Sequence, residues 1–424
     1  MDASQTHKLN IPILSKELAH QAWYNTFWSK FAGFMEYTET NGIKQHTPAA
    51  NSIIQVMKDF ISEGRDNMIM PMLLPLEEPG VYGDSRLKGT GEDLRLKYLQ
   101  IYINQWRKAA TKLSGKMADQ RLSVLQLTEK AKPELIKWWS KAYNQAIWQT
   151  FYEGASPNLT AGTNDDGLGL SVRFHPNWYY EDTATTGGLL TTVGTEKYTK
   201  TVANITSDVT SAKVEAINVG TFYAAMELIT GNLLIEPIVH EGSDPFWLWM
   251  CAPKTFTAIK KITAVQNAQN SAYNAKLMTH PAINGKQMLY FEGFCIIPDP
   301  VGIRGLKTAS TDPVLDLAGG DLRTGWMKPQ PAAYNTIQNS LIIGANALGK
   351  GLASALKFTD ETDDHGNVIE IGSNCIEGYS RADYFSETDS GSSAAFTKNN
   401  ASKTVLATAY EAVNQSSVII STED

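Results

Sequence analysis

The block from Asn51 to Gly154 makes poor sense as a self-contained core. It begins NSIIQVMKDF, passes through the turn-rich GVYGDSRLKGTGEDL and continues as the extended LKYLQIYINQWRKAATKLSGK. It closes on LTEKAKPELIKWWSKAYNQAIWQTFYEG, which has the apolar period of a long helix. Two extended runs around a glycine-rich tip predict a two-stranded arm. An isolated hairpin is marginal in water, and the helix carries bulky aromatics on more than one side. Both need cover, and the pattern points to another copy of the same chain as its source.

At 424 residues the chain is longer than one core usually needs, which favours two or three lobes. Hydrophobic content of 42% with 19% charged residues fits a folded globular protein. A net charge of -7 speaks against a nucleic-acid reader with a broad basic face. The charge is uneven. Asp84 to Lys112 holds seven Lys/Arg against three Asp/Glu, whereas Thr359 to the end holds three against twelve. These are either two solvated faces or complementary surfaces that meet between subunits.

Cys251, Cys295 and Cys375 are odd in number and widely spaced without a CxxC, which fits neither a disulfide framework nor a zinc knuckle. MDASQTHKLN lacks the apolar stretch of a signal peptide, and no apolar run is long enough to span a membrane. The expectation is a soluble chain made in a reducing cytosol. Asn-x-Ser/Thr matches such as Asn158-Leu-Thr160 are then coincidental.

Along the chain, Ser15 is a candidate cap for a helix carrying Leu18, Trp23, Phe27, Phe31 and Phe34 as an aromatic stripe. That stripe is either ordinary core or a contact docked on a neighbour. Residues 38–50 read as a linker and Ile53–Ile61 as a short helix. Met68–Leu76 is extended, but Pro71 and Pro75 confine it to an edge. The tip, 79–91, holds four glycines. Leu94–Lys108 returns with Leu99, Ile101 and Ile103 on one face and Tyr98, Tyr102 and Trp106 on the other. A spine helix is expected over 122–153, with Leu135, Trp139, Ala142, Ala146 and Phe151 in period, Pro133 as a boundary or kink near its first third and Gly154 as its stop.

Residues 155–219 read as loops and short strands with an aromatic anchor at Trp178, Tyr179 and Tyr180. Residues 220–360 read as an α/β lobe. It has helices over Phe222–Ile229 and from Pro253 to about Gln266. Its strands are Ile235–Val239, Phe246–Met250, Met288–Ile297 and Ser340–Ile343. Asn367–Tyr384 reads as a long strand with a glycine break.

Gly344-Ala-Asn-Ala-Leu-Gly349-Lys350 fits GxxxxGK after an apolar strand, but Gly351 stands where a phosphate-binding loop needs Ser or Thr for magnesium. An alanine- and glycine-rich helix start is the plainer interpretation. His240-Glu241 lacks the second His of a zinc protease helix. Asp360-Glu361-Thr-Asp363-Asp364 lacks the ligand spacing of an EF-hand, which leaves a solvated acidic turn. With no GxSxG elbow and no activated cysteine, the chain offers no catalytic, cofactor or metal residues, and is not expected to be an enzyme.

Several ordered segments resemble the major capsid proteins of tailed bacteriophages, in particular the family typified by the N-four podovirus. They are Ser29–Gly33, Asn51–Val56, Gly83-Asp84 with Leu87, Gly89 and Glu92, Ile101–Arg107, Gly115–Arg121 and the spine helix to Gly154. Trp247–Pro253, Gly344–Gly349 and Asn367–Tyr384 continue the resemblance, the second as an alanine-rich helix entry. The Thr/Gly-rich stretch 155–215 and the tail beyond Asp389 depart from it.

The resemblance implies an α+β fold of the Hong Kong type. Residues 1–50 would be an N-terminal arm, and 51–115 a short helix with the extended loop. Residues 116–220 would be a peripheral domain with the spine helix, 221–359 an axial domain, and 360–424 a return to the peripheral domain with a tail. It implies pentamers and hexamers of this chain, an icosahedral shell around double-stranded DNA, and contacts with portal, scaffold or decoration proteins. The location would be the virion, with assembly in the host cytoplasm and no membrane. Candidate inter-subunit contacts are Tyr82, Arg86, Lys88, Tyr98, Tyr102, Trp106, Phe27 and Phe31. The alternatives are an encapsulin-like compartment, a P-loop nucleotide-binding protein using Lys350 and, least, a secreted adhesin.

Overall fold

A computed structural model describes residues 22–40, 43–47, 52–57, 67–73, 96–111, 127–156, 158–159, 175, 177–181, 190–192, 216–239, 244–270, 288–298, 337–363, 368–383, 385–386 and 414–423. After a 3₁₀ turn, Phe27–Phe31, come β1 (Ala32–Phe34), β2 (Glu36–Thr40), β3 (Ile43–Thr47) and β4 (Ile54–Met57). Next are β5 (Asn67–Leu73), β6 (Leu96–Tyr102), β7 (Asn104–Thr111) and the long helix α1 (Leu127–Glu153). Then follow β8 (Trp178–Glu181), β9 (Leu190–Thr192), α2 (Val219–Glu227) with a π-helical extension Leu228–Leu233, and β10 (Trp247–Cys251). The chain continues through α3 (Pro253–Lys261), α4 (Thr263–Asn270), β11 (Leu289–Phe291), β12 (Phe294–Pro298), β13 (Ile337–Ile343) and β14 (Leu348–Asp363). It ends with β15 (Val368–Arg381), β16 (Phe385–Ser386) and β17 (Ser417–Glu423).

Two sheets dominate the described residues. One has the order β1-β4-β14-β15-β7 and the other β11-β12-β10-β13-β17-β8-β9. The long helix is as expected, and Gly154 ends it with φ 84°. Leu135, Trp139, Ala142, Ala146 and Phe151 are all buried. One continuous apolar cluster joins α1 to Leu348, Leu356, Phe358, Ile371 and Tyr379 of the first sheet. The same cluster takes in Leu248, Met250, Cys295, Ile297, Leu341, Ile343 and Ile419 of the second.

The opposite face of the second sheet, through Trp249, Cys251, Phe294, Ile296, Ile342, Val418 and Ile420, packs with Phe222, Phe256, Ile259 and Val265 of α2, α3 and α4. Successive strand residues point to opposite faces. A sheet covered on both sides therefore needs unbroken apolar runs, which is why WLWMC, FCII and LII do not alternate.

Several elements differ from the sequence expectation, each for a physical reason. The stretch 53–61 is not helical where described: β-branched Ile54 and Val56 form β4, buried on both faces between β1 and β14. The linker over 38–50 takes part in the β2–β3 hairpin, which begins at Glu36. The stripe helix does not reach Phe34; the chain passes through the 3₁₀ turn into β1, and Phe34 is 56% exposed at the sheet edge.

Ile235–Val239 makes only an isolated bridge, Ile238 to Phe246. The run Met288–Ile297 folds back on itself: Glu292 (φ 48°) and Gly293 (φ 78°) form the two-residue turn between β11 and β12. Helix 253–266 breaks at Ile262 into α3 and α4.

The sheets also cut across the expected lobe boundaries. β14 belongs from Leu348 onward to the helix-backed sheet, while β8, β9 and the C-terminal β17 join the other one. The reason is strand pairing over long sequence distance: β17 lies between β13 and β8.

Gly344–Gly349 is neither a phosphate loop nor a helix start but the crossover between the two sheets. The Gly344 amide donates to Ser416 O, the Ala345 amide to Glu236 O and the Asn346 amide to Ser52 O, and Lys350 is already in β14. A Cβ on Gly344 would come within 2.2 Å of the Glu236 carbonyl oxygen.

Candidate assembly arm and its anchor

The two expected extended runs pair: β5 lies antiparallel to β6, from Asn67 opposite Tyr102 to Leu73 opposite Leu96. β5 lies at the edge, as Pro71 requires, and β16 flanks β6 on the other side. The glycine-rich tip lies outside the described residues.

The root of the arm is built from the period-two pattern. On β15, the odd positions Ile371, Ser373, Cys375, Glu377, Tyr379 and Arg381 share one face, and α1 packs there: Trp139 Nε1 donates to Ser373 Oγ at 2.8 Å. The opposite face receives β6. There Leu99, Ile101 and Ile103 pack with Met57 and Ala382, beside Ala353 and Ile376.

Glycine makes this approach possible. A Cβ on Gly349 would lie 2.3 Å from Ile101 Cδ1, and one on Gly378 would lie 2.1 Å from the Tyr102 carbonyl oxygen. The corner where the chain passes from arm to sheet is pinned by a polar clamp. Asn104 Nδ2 donates to Asn158 O at 2.7 Å, and Asn158 Nδ2 donates to Glu377 O at 2.7 Å. Ser156 Oγ donates to Asn158 Oδ1 and accepts from the Tyr379 amide.

On the helix side of the same strands, Lys350 Nζ lies 3.0 Å from Glu377 Oε2, and both groups are buried. The ammonium also sits 3.8 Å above the Trp23 ring, with Tyr143 and Tyr379 at 5.3 and 5.1 Å. Burial, reinforced by the Glu377 carboxylate, pushes the Tyr143 and Tyr379 phenols well up. A lysine committed in this way has no reach to a nucleotide phosphate, which removes the P-loop alternative.

A second buried pair, Arg381 and Asp383, is bidentate. Nε donates to Oδ1 at 2.9 Å and Nη2 to Oδ2 at 2.6 Å. Arg381 Nη1 donates to Phe151 O at 2.6 Å, placing a cation at the C-terminal end of α1, where the helix dipole favours one.

Asp383 Oδ1 accepts from Asn414 Nδ2 at 2.9 Å, and Asn414 Oδ1 accepts from the Ser416 and Ser417 amides, both at 3.0 Å, at the start of β17. Asn177 Nδ2 donates to Asn414 O. The Asn177 amide donates to His175 Nδ1, so the Nε2–H tautomer faces Ser417 Oγ at 2.9 Å. Burial, and then the Arg381 charge, hold the His175 imidazole well below its usual range. The local sequence gives little sign of this network. Asn-Gln-Ser-Ser before an apolar run marks a turn into a strand, but nothing local identifies partners so distant in sequence.

The candidate contact residues separate into two groups. Tyr82, Arg86 and Lys88 lie outside the described residues, and Tyr98 is described only through its backbone, opposite Pro71 and Phe385. Phe31 and Tyr102 are buried within this chain. Trp106 is half-buried against Trp139, with ring centroids 5.0 Å apart, and Phe27 packs on Trp28 and Phe31. Phe31 is therefore part of the core, while Trp23 and Phe27 pack against it and remain half-buried. Trp28, against Trp148 and Phe151, is the fully buried centre that the stripe omitted.

Among the described residues no His/Cys/Asp/Glu group could hold a metal ion, and no helix is long and apolar enough to cross a membrane.

The result is a mixed fold in which a long helix backs one sheet, a second sheet is covered on both faces, and the β5–β6 pair is rooted on the first. The family model described as phage capsid protein matches residues 22–411, and the chain belongs to that family. Three solved capsid structures share the fold. The cyanophage Pam1 capsid is 14% identical, covering 88% of this chain and 89% of its own, with a TM-score of 0.53. The capsid of Ralstonia phage GP4 is also 14% identical, covering 88% of each chain, with a TM-score of 0.51. The acid-stable capsid of Helicobacter pylori bacteriophage KHP30 is 12% identical, covering 95% and 91%, with a TM-score of 0.55. A comparison with curated proteins gave no match.

Proposed function

We propose that this major capsid protein assembles through pentamers and hexamers into an icosahedral shell that encloses double-stranded DNA, with the β5–β6 arm laid across a neighbouring copy. The observation that carries this is the arm itself. Its root rests on the first sheet through Leu99, Ile101 and Ile103, and among the described residues its outer strand β5 has an unpaired edge. Each arm contact can be weak, because every subunit makes several, and multivalency closes the shell.

The helix-backed sheet serves as the peripheral lobe, and the sheet covered by α2, α3 and α4 as the axial one. The virion is the site of action and the host cytoplasm the site of assembly. Portal, scaffold or decoration proteins are the natural further partners. The family match favours this role over an encapsulin-like compartment.

Deleting residues 80–92 and imaging the purified protein by negative-stain microscopy tests the proposal. The expected product is folded but forms no shells; normal shells would refute the role of the arm.

A further inference from the structure

The solvent side of α1 is not neutral. Glu134, Lys137 and Lys141 follow the i, i+3, i+7 spacing of one helical stripe. Glu134, Lys137 and Lys141 are exposed. Beside the stripe runs edge strand β7, whose Lys108 is also exposed and holds its ammonium 5.3 Å from the Trp138 ring. Trp138 lies one residue from Lys137 and three from Lys141 on the helix, so the ring draws a third ammonium to the stripe. Glu134 offsets part of this charge through a 2.6 Å contact with Lys137. Alternation along β7 sends Arg107 to the opposite face, where Lys357 is its second neighbour through Asn374.

We propose that this stripe contacts the phosphate backbone of duplex DNA, which makes the helix side of the first sheet the face turned towards the packaged genome. It rests on the shell-forming role. The chemistry is a cluster of exposed ammonium groups, with Lys137 and Lys141 about 6 Å apart along the helix and Lys108 beside them, suited to a polyanion of regular charge and not to a shaped pocket. In a chain of net charge -7, such a cluster keeps the attraction local and weak enough for the DNA to leave.

The test measures binding of unassembled protein to a labelled duplex of about 30 base pairs by fluorescence anisotropy, between about 50 and 200 mM salt. Each lysine lost from a phosphate contact lowers the salt slope by about 0.9. The triple variant Lys108→Gln, Lys137→Gln, Lys141→Gln should therefore lose about 2 to 3 units of slope and bind at least about tenfold more weakly at the lowest salt. Arg107→Gln with Lys357→Gln, on the other face, should change neither. Glu134→Gln, which removes the offsetting carboxylate, should tighten binding, and it reports even if the triple variant folds poorly.

An unchanged slope in the triple variant, an equal loss in the opposite-face pair, or weaker binding by Glu134→Gln would overturn the proposal. So would a triple variant that stops forming shells while its DNA slope stays at the wild-type value, because the stripe would then be a subunit contact. Wild-type protein that bound DNA with this slope yet never formed shells would sink the shell-forming role and leave the stripe standing.

Discussion

Gly378 lies directly beneath the carbonyl oxygen of Tyr102: a Cβ at this position would come within 2.1 Å of that oxygen and 2.9 Å of Leu159 Cδ1. The root of the arm thus rests on bare backbone of the sheet. The same glycine, seen in sequence only as a break in a long strand, stays within β15 and serves as the seat of β6.

Gly378→Ala should therefore be costly, because the atoms it meets include backbone. A loss of at least about 1–3 kcal/mol is expected, as for other overpacked sites. Gly231→Ala, with nothing within 4 Å of its Cβ, is the neutral comparison. Urea unfolding of both variants checks this, and the Gly378 variant should also form fewer shells.

Glu377→Gln should destabilise more than its size suggests. It leaves the buried Lys350 ammonium facing aromatic rings without its carboxylate, and removing one partner of a buried pair costs about 3–5 kcal/mol. Changing both residues, Lys350→Met with Glu377→Leu, should cost clearly less. Denaturant midpoints of the single and double variants decide the matter.

The buried His175 makes stability depend on pH. Its folded-state proton affinity is lowered by burial and by Arg381, while Asp383 acts in the opposite sense. The unfolded chain therefore takes up the proton first. The stability this site contributes is full above the unfolded value of about 6.5 and is lost as pH falls below it, by up to about 1.4 kcal/mol per pH unit. Unfolding free energies measured from pH 7.5 to 4.5 should show this slope, and His175→Asn should flatten it.

Asn414→Ala should loosen the C-terminal strand before anything else. It removes the acceptor of the Ser416 and Ser417 amides and the donor to Asp383, at a cost of about 1–3 kcal/mol. Hydrogen exchange should accelerate first in β17 and its neighbours β13 and β8, with α1 and β15 protected for longer.

The three thiols should be inert in the native protein. Cys251, Cys295 and Cys375 are buried thiols outside any disulfide, and burial pushes Cys295 up to about 12. Iodoacetamide at pH 8 should label none of them without denaturant and all three with it, as read by intact mass.

What the chain determined by itself was local. The 3.6-residue period placed α1 and its buried face, the stop at Gly154 followed from glycine's tolerance of positive φ, and Pro71 confined β5 to an edge. The β6 side of the arm root was legible too, because Leu99, Ile101 and Ile103 alternate. Tertiary structure alone decided what met what. Ile54 and Val56 became strand because β1 and β14 stood ready to pair with them, although a short apolar run suits helix or strand equally. Gly344–Lys350 became a crossover because Glu236, Ser52 and Ser416 supplied its hydrogen-bond partners, and β17 found its slot between strands from the middle of the chain. A residue's neighbours in sequence set its propensity. Its burial, its charge partner and its sheet are set by groups tens to hundreds of residues away, and no local pattern encodes their distance.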